Sequence, residues 1–141
     1  MKTDYLSSPD EILKKFNFIT PVTAAYQQFI TANLKTVRLP KKHLLLEEGK
    51  VCKNVYFVFQ GSLRSFFLNK NGKECTGWFA QQGDLVISPY SYFGQQPAKE
   101  SIETIEECVL QYLSWQQMQV SYAEFKEANH IGRIILQQYY M

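Results

Sequence analysis

Between residues 34 and 113 the chain is a succession of short β-favouring runs, each closed by turn-forming residues. Residues 35–39 carry the β-branched Thr36 and Val37 and stop at Pro40. Leu44-Leu45-Leu46 ends at Glu47-Glu48-Gly49, and Val55-Tyr56-Phe57-Val58-Phe59 ends at Gln60-Gly61. Residues 62–68 and 73–79 flank Asn69-Lys70-Asn71-Gly72, whose Asn-Gly step tolerates the positive φ angles of a tight hairpin. Gln81-Gln82-Gly83-Asp84 turns the chain again, and residues 102–105 and 108–113 form a last pair around Glu106-Glu107. Strands this short and this regularly spaced predict a barrel, sandwich or roll. Residues 88–100 interrupt the series with a polar, turn-rich interval, and such intervals in a regular scaffold tend to carry function.

Helical patterns flank the strands. Ser8-Pro9 predicts a cap and first-turn proline for a helix over residues 10–16, and Thr20-Pro21 repeats the signal. Val22, Tyr26, Phe29 and Ile30 then fall on one helical face, which is expected to dock on the core. After the strands, Ser114 with Gln117 three residues on is a capping-box pattern, opening a helix through Trp115, Met118 and Tyr122. A further helix is predicted from Glu124 to the end, with Ile131, Ile134, Ile135 and Tyr139 on one face. That stripe is still running at Met141 without a glycine cap or proline stop, which predicts a truncated chain or an arm that packs on something else. The organisation expected is therefore N-terminal helices over 1–33, a β-roll over 34–113 and C-terminal helices over 114–141, all one domain of 141 residues.

Composition narrows the function classes. Hydrophobic residues make up 45% and charged residues 20%, the usual globular mix. The net charge of +2, with only Arg38, Arg64 and Arg133 as arginines, does not mark a nucleic-acid surface. Cys52, Cys75 and Cys108 are scattered and odd in number, and read as plain thiols of a reducing cytosol; an iron–sulfur cluster ordinarily needs four thiolates. Met1-Lys2-Thr3-Asp4 leads into no apolar signal segment, and no stretch approaches the ~20 apolar residues of a membrane span. A cytoplasmic protein without a membrane partner is expected. A cupin-like metalloenzyme fails on count, since His43 and His130 are the two histidines and lie far apart. No catalytic residues and no metal site are therefore predicted.

The ordered set Glu48-Gly49, Val55-Tyr56-Phe57-Val58-Phe59-Gln60-Gly61-Ser62-Leu63-Arg64, Gly72-Lys73-Glu74 and Trp78-Phe79-Ala80-Gln81-Gln82-Gly83-Asp84-Leu85 resembles the jelly roll of Crp/Fnr transcription regulators and other cyclic-nucleotide-binding domains. The resemblance covers about residues 34–113 and implies a double-stranded β-helix (jelly roll), mainly β with flanking helices. Gly49, Gly61, Gly72 and Gly83 fall at its corners, where a residue able to take φ > 0 is favoured, so they read as structural.

The resemblance also implies a ligand cassette. In members that bind cyclic AMP, a Gly-Glu-Leu or Gly-Glu-Ile step opens a short helix after Gly-Asp, and an Arg-Ser or Arg-Thr pair follows. Helix N–H groups and the arginine meet the phosphate, and the glutamate meets the ribose. The matching positions here read Ile87-Ser88-Pro89 and Glu100-Ser101, so a carboxylate stands where the arginine is expected. At ~4 Å and an effective dielectric near 20, the like-charge term alone is about 4 kcal/mol. Lys99 is no substitute, because strand neighbours point to opposite faces. No cofactor is expected, and cyclic AMP is not bound in the usual manner.

Ser88, Tyr90, Ser91, Tyr92, Glu100 and Ser101 are the pocket residues this alignment implies, either for some other small effector or filled by their own side chains. Cassettes of this divergent kind are common in Bacteroidetes relatives. In the family the helix after the roll pairs with its copy in a homodimer and leads to a helix-turn-helix domain. Ile131, Ile134, Ile135 and Tyr139 are placed either at that seam or against their own roll. DNA would be met only through a domain absent from this chain. The alternative is a stand-alone interaction module without DNA-binding activity.

Overall fold

A computed structural model describes residues 7–140, so the reading of Met1-Lys2-Thr3-Asp4 lies outside the described residues. Two helices, α1 (Asp10–Ile19) and α2 (Ala24–Asn33), precede the strands β1 (Lys35–Leu39), β2 (Leu44–Leu46), β3 (Asn54–Gln60), β4 (Ser62–Leu68), β5 (Glu74–Gln81) and β6 (Leu85–Val86). A short helix α3 (Pro89–Gly94) separates these from β7 (Ser101–Thr104) and β8 (Cys108–Ser114), and α4 (Trp115–Glu124) and α5 (Lys126–Tyr140) follow. The strands form two four-stranded antiparallel sheets, ordered β1-β8-β3-β6 and β2-β7-β4-β5. The jelly roll expected from the sequence is thus the fold.

The sheet containing β3 and β8 is covered on both faces, which explains the unbroken apolar run of β3. Val58 points between the sheets with Leu63, Ile102 and Leu110. Phe57 and Phe59 point the other way, into a second core made with Val109, Leu113 and the helices. A strand with one wet face would alternate; this one has none. β8 is central in the same way, pairing with β1 (Lys35↔Tyr112 through Leu39↔Cys108) and with β3 (Asn54↔Ser114 through Gln60↔Val109).

Corners are set by local chemistry. Gly61 joins β3 to β4 at φ +102, and a Cβ built on it lies 2.6 Å from Cys108 Sγ and 2.7 Å from the Glu107 carbonyl. Both conformation and space therefore demand glycine. Ser114 and Gln117 make the expected capping box, with the Gln117 N–H donating to Ser114 Oγ at 3.0 Å and the Ser114 N–H to Gln117 Oε1 at 2.9 Å.

The other two helix starts differ from expectation. Pro9 occupies the cap position of α1 rather than its first turn, while the Asp10 N–H donates to Ser8 Oγ at 3.2 Å. The cap of α2 is Thr23, whose hydroxyl accepts the Tyr26 N–H. Thr20 is extended, at φ −157 and ψ 148, as suits a residue before proline. Residues 88–100, expected as a loop, contain the helix α3, and the two-residue β6 was too short to show in the sequence pattern.

The helical layer packs on β3 and β8. Tyr26 stacks near Phe16 and Phe29 and lies 5.0 Å, ring to ring, from Phe125. Ile131 and Ile135 of α5 are 2% and 9% exposed and belong to this core. Burying each stabilises the docked helix by about 1.5–3 kcal/mol. At these two positions the stripe is docked on the chain's own domain, one of the two placements the sequence leaves open. Ile134 is half-buried, and Tyr139 is exposed at its ring. Among the described residues no helix is long and apolar enough to cross a membrane.

Candidate functional site

The Gly83 turn sends β6 along β3, and Ser88 then opens α3 with Pro89 at its first position. The helix ends at Gln95 in the left-handed conformation, φ 49, where the Gln95 N–H meets the Ser91 carbonyl. The Gln95 side chain donates to the carbonyls of Tyr92 at 2.7 Å and Cys52 at 3.0 Å, fixing the helix end to the β2–β3 connection. The chain returns through Ala98, whose N–H bonds the Lys50 carbonyl at 2.7 Å, to Glu100 and β7.

This path brings Ser88 and Glu100 together. The buried Ser88 hydroxyl donates to Glu100 Oε2 at 2.8 Å, and the Trp78 indole N–H, reaching from β5, donates to Glu100 Oε1 at 2.9 Å. Each carboxylate oxygen is thereby held by a donor from a different segment. Trp78 was not among the pocket residues the sequence implied. Its partner is 22 positions away, so no local pattern could have found it.

The other expected pocket residues are divided among separate tasks. Ser91 accepts the Cys52 N–H at 2.7 Å and donates to the Gln96 carbonyl, closing α3 on its neighbour. Ser101 accepts the Glu48 N–H at 2.9 Å, tying β7 to the turn after β2. Tyr92 is 4% exposed within the core between the sheets, where burial raises its phenol pKa far above the ordinary value. Tyr90 lies outside, donating to Gln96 Oε1 at 2.9 Å, with Lys99 Nζ 4.2 Å from its ring centre. Lys99 is exposed; it and Glu100 lie in the bend before β7 rather than in a strand, so alternation does not set their directions. Of the six, Ser88 and Glu100 are joined to each other by a side-chain hydrogen bond.

On the outer face of the same sheet, Arg64 is fully engaged. It donates to Glu103 at 2.8 Å from Nε and to Glu74 at 2.6 Å from Nη2, and it bonds Thr76 at 3.1 Å. Burial pushes the Cys52 thiol up, away from thiolate chemistry. Among the described residues no three His, Cys, Asp or Glu side chains gather as metal ligands would.

A separate space of about 460 Å³ lies between α5 and the roll, lined by Trp78 and Ile87 but by neither Ser88 nor Glu100. The far end of α5 is fastened beside it. The Tyr139 hydroxyl accepts the Leu85 N–H at 2.9 Å and donates to Asp84 Oδ1 at 3.3 Å.

Comparison with known proteins gives this architecture a setting. A family described as the cyclic nucleotide-binding domain matches residues 36–124. No curated protein matches the sequence. Among solved structures, the sensor domain of the transcriptional regulator DNR from Pseudomonas aeruginosa is similar at TM-score 0.74 and 13% identity, covering 96% of this chain and 89% of that one. A cyclic nucleotide-binding domain from Methylobacillus flagellatus kt is similar at TM-score 0.77 and 18% identity, covering 95% of this chain and 75% of that one. The catabolite activator protein of Thermus thermophilus is similar at TM-score 0.67 and 16% identity over 93% of this chain, which spans 54% of that protein's length.

Proposed function

Since the chain belongs to the cyclic nucleotide-binding domain family, we propose that it is the effector-sensing and dimerisation domain of a Crp/Fnr-type transcription regulator, acting in the cytoplasm, and that cyclic AMP is not its effector in the usual way. The observation that carries this reading is the held carboxylate of Glu100. Trp78 and Ser88 fix both of its oxygens, so a negative group stands ready-made at the return from α3, the place a cyclic phosphate would need a cation. A phosphodiester there meets like charge in place of a charge-assisted hydrogen bond, and the difference amounts to several orders of magnitude in affinity.

The role as a regulator's sensory half is supported by the helix order. α4 and α5 follow directly on β8, and α5 lies along the opening of the roll, so an event beside α3 or β6 reaches a helix able to pass it on. The domain is read as regulatory rather than catalytic, the ordinary role of this family. With Ile131 and Ile135 used internally, a second copy would meet α5 through the exposed Leu136, the half-buried Ile134 and the ring of Tyr139. In this reading DNA is contacted by a part of the regulator other than these residues.

Isothermal titration with cyclic AMP and cyclic GMP tests the ligand half. No heat of binding is expected at low-micromolar nucleotide, and saturable binding of either in that range overturns the reading. Light scattering tests the dimer: a strict monomer at high concentration removes that part.

A further inference from the structure

Asn71-Gly72, at the tip of the hairpin between β4 and β5, is the one Asn-Gly step of the chain. The other asparagines precede Phe18, Leu34, Val55, Lys70 and His130. A side chain on the following residue shields its backbone nitrogen, and glycine has none. A Cβ built on Gly72 meets nothing within 4 Å, so the space around that nitrogen is open.

The side chains divide the same way. Asn17 Oδ1 accepts the Val22 N–H, and Asn69 Oδ1 accepts two backbone N–H groups. Asn33 and Asn129 donate to carbonyls on their N-terminal side, and Asn54 donates to the Tyr56 hydroxyl. Asn71 is exposed, and its amide has no partner among the described residues. Its Cγ is therefore free to swing toward the Gly72 nitrogen.

The turn restrains that approach. The Gly72 N–H donates to the Asn69 carbonyl at 2.9 Å, and Asn69 Oδ1 accepts the N–H groups of Asn71 and Lys73, both at 2.9 Å. Gly72 stands at φ +76, the left-handed position that follows a type I turn in a hairpin. Its nitrogen keeps its proton on a carbonyl and its peptide plane fixed.

We propose that Asn71 is a self-modification site, deamidating through a succinimide at a rate set by opening of this turn. The Gly72 nitrogen gives its proton to hydroxide and attacks Asn71 Cγ. The new C–N bond closes a five-membered ring, the bond from Cγ to the side-chain nitrogen breaks, and that nitrogen leaves as ammonia with a proton from water. Water then opens the ring, its hydroxyl going to either carbonyl carbon and its proton to the Gly72 nitrogen. One opening gives aspartate at position 71; the other gives isoaspartate, with the chain running through the former side chain. Either product places a carboxylate between Lys70 and Lys73 and lowers the net charge by one from +2. Isoaspartate adds a backbone carbon, which breaks the Gly72–Asn69 bond and loosens the Leu68↔Glu74 end of the ladder. The inference goes beyond the function proposed above and stands whether or not the domain senses a nucleotide.

Ageing of the whole chain at neutral pH, followed by proteolysis and mass spectrometry, tests it. Position 71 is expected to change ahead of every other asparagine, with an isoaspartyl methyltransferase assay detecting the second product. The folded chain should react about tenfold more slowly than a guanidinium-unfolded sample, and faster as pH rises. Asn69→Ala removes the acceptor of two turn bonds and should speed the folded reaction about fivefold, leaving the unfolded rate unchanged. Asn69→Asp keeps an acceptor and should hold the native rate, with circular dichroism checking that both variants are folded. Asn71→Gln should abolish the acidic shift on isoelectric focusing. No change at position 71, earlier change elsewhere, equal folded and unfolded rates, or a native rate in folded Asn69→Ala overturns the proposal.

Discussion

The indole N–H of Trp78 and the carboxylate of Glu100, 2.9 Å apart, link β5 to the start of β7 across the opening of the roll. Ser88 supplies the second donor to that carboxylate. Ser88→Ala removes a hydrogen bond to a charged acceptor and leaves Glu100 Oε2 to water or to nothing. A loss of about 1–2 kcal/mol is expected, read as a lower urea midpoint at unchanged slope. Glu100→Gln keeps an acceptor for Trp78 while deleting the charge. It should cost less stability than Ser88→Ala, and it should raise affinity for anionic nucleotides above that of the native chain in the same titration.

Gly61 and Gly83 both sit at positive φ, yet they predict different outcomes. A methyl group on Gly83 meets nothing within 4 Å, so Gly83→Ala should cost about 1–2 kcal/mol from backbone strain alone. A methyl group on Gly61 meets Cys108 and Glu107 at contact distances no Cβ adopts, and part of what it meets is backbone. Gly61→Ala should therefore exceed Gly83→Ala by at least about 2 kcal/mol in chemical denaturation. Equal effects would place the corner's demand in conformation rather than space.

Tyr139→Phe keeps the ring on α5 and deletes the hydroxyl that meets Leu85 and Asp84. The expected loss is about 1 kcal/mol, concentrated locally. Hydrogen exchange should quicken at residues 133–140 and at Leu85, while amides of β3 and β8 keep their protection.

Glu127, in the first turn of α5, accepts from the Thr23 hydroxyl at 2.6 Å, and that hydroxyl also caps α2. The Thr23 hydrogen bond holds the Glu127 pKa below its ordinary value of 4.5. A depressed carboxylate contributes stability that is present above the ordinary value and is lost as pH falls through the lowered one. Native chain and Glu127→Gln should therefore differ in thermal midpoint at neutral pH, and the gap should close on titration to about pH 3. Thr23→Ala should cost more than Glu127→Gln, by about 1 kcal/mol from the lost cap.

What the sequence made legible, and what it did not, divides by distance along the chain. The strand series was readable because side-chain alternation and turn residues act over a few positions; β1, β2 and β4 fall where the runs predict. The Ser114–Gln117 box was readable for the same reason. That Thr23 caps α2, where the sequence pointed to Thr20, was not, because the cap's second partner, Glu127, lies 104 residues away. The stripe on α5 was visible, but periodicity names a helical face and not its occupant. Whether Ile131 and Ile135 meet their own sheet or a second copy depends on how α5 leaves α4. In the cassette, residue types predicted a pocket from Ser88, Tyr90, Ser91, Tyr92, Glu100 and Ser101. Ser88 stands at the cap of α3 and Glu100 in the bend before β7, and these two share a hydrogen bond, while the side chains on α3 and in β7 take other partners.

The central position of β8 governs how this protein comes to be folded. Among the described residues β1 has no strand partner other than β8, which lies roughly seventy residues later, so that ladder must wait until a large loop has closed. Such non-local pairing slows the search for the native state, toward milliseconds to seconds. During synthesis, β1 and the outward aromatic face of β3 emerge well before β8 and remain uncovered until it arrives, and in that interval the unfinished sheet is open to wrong partners.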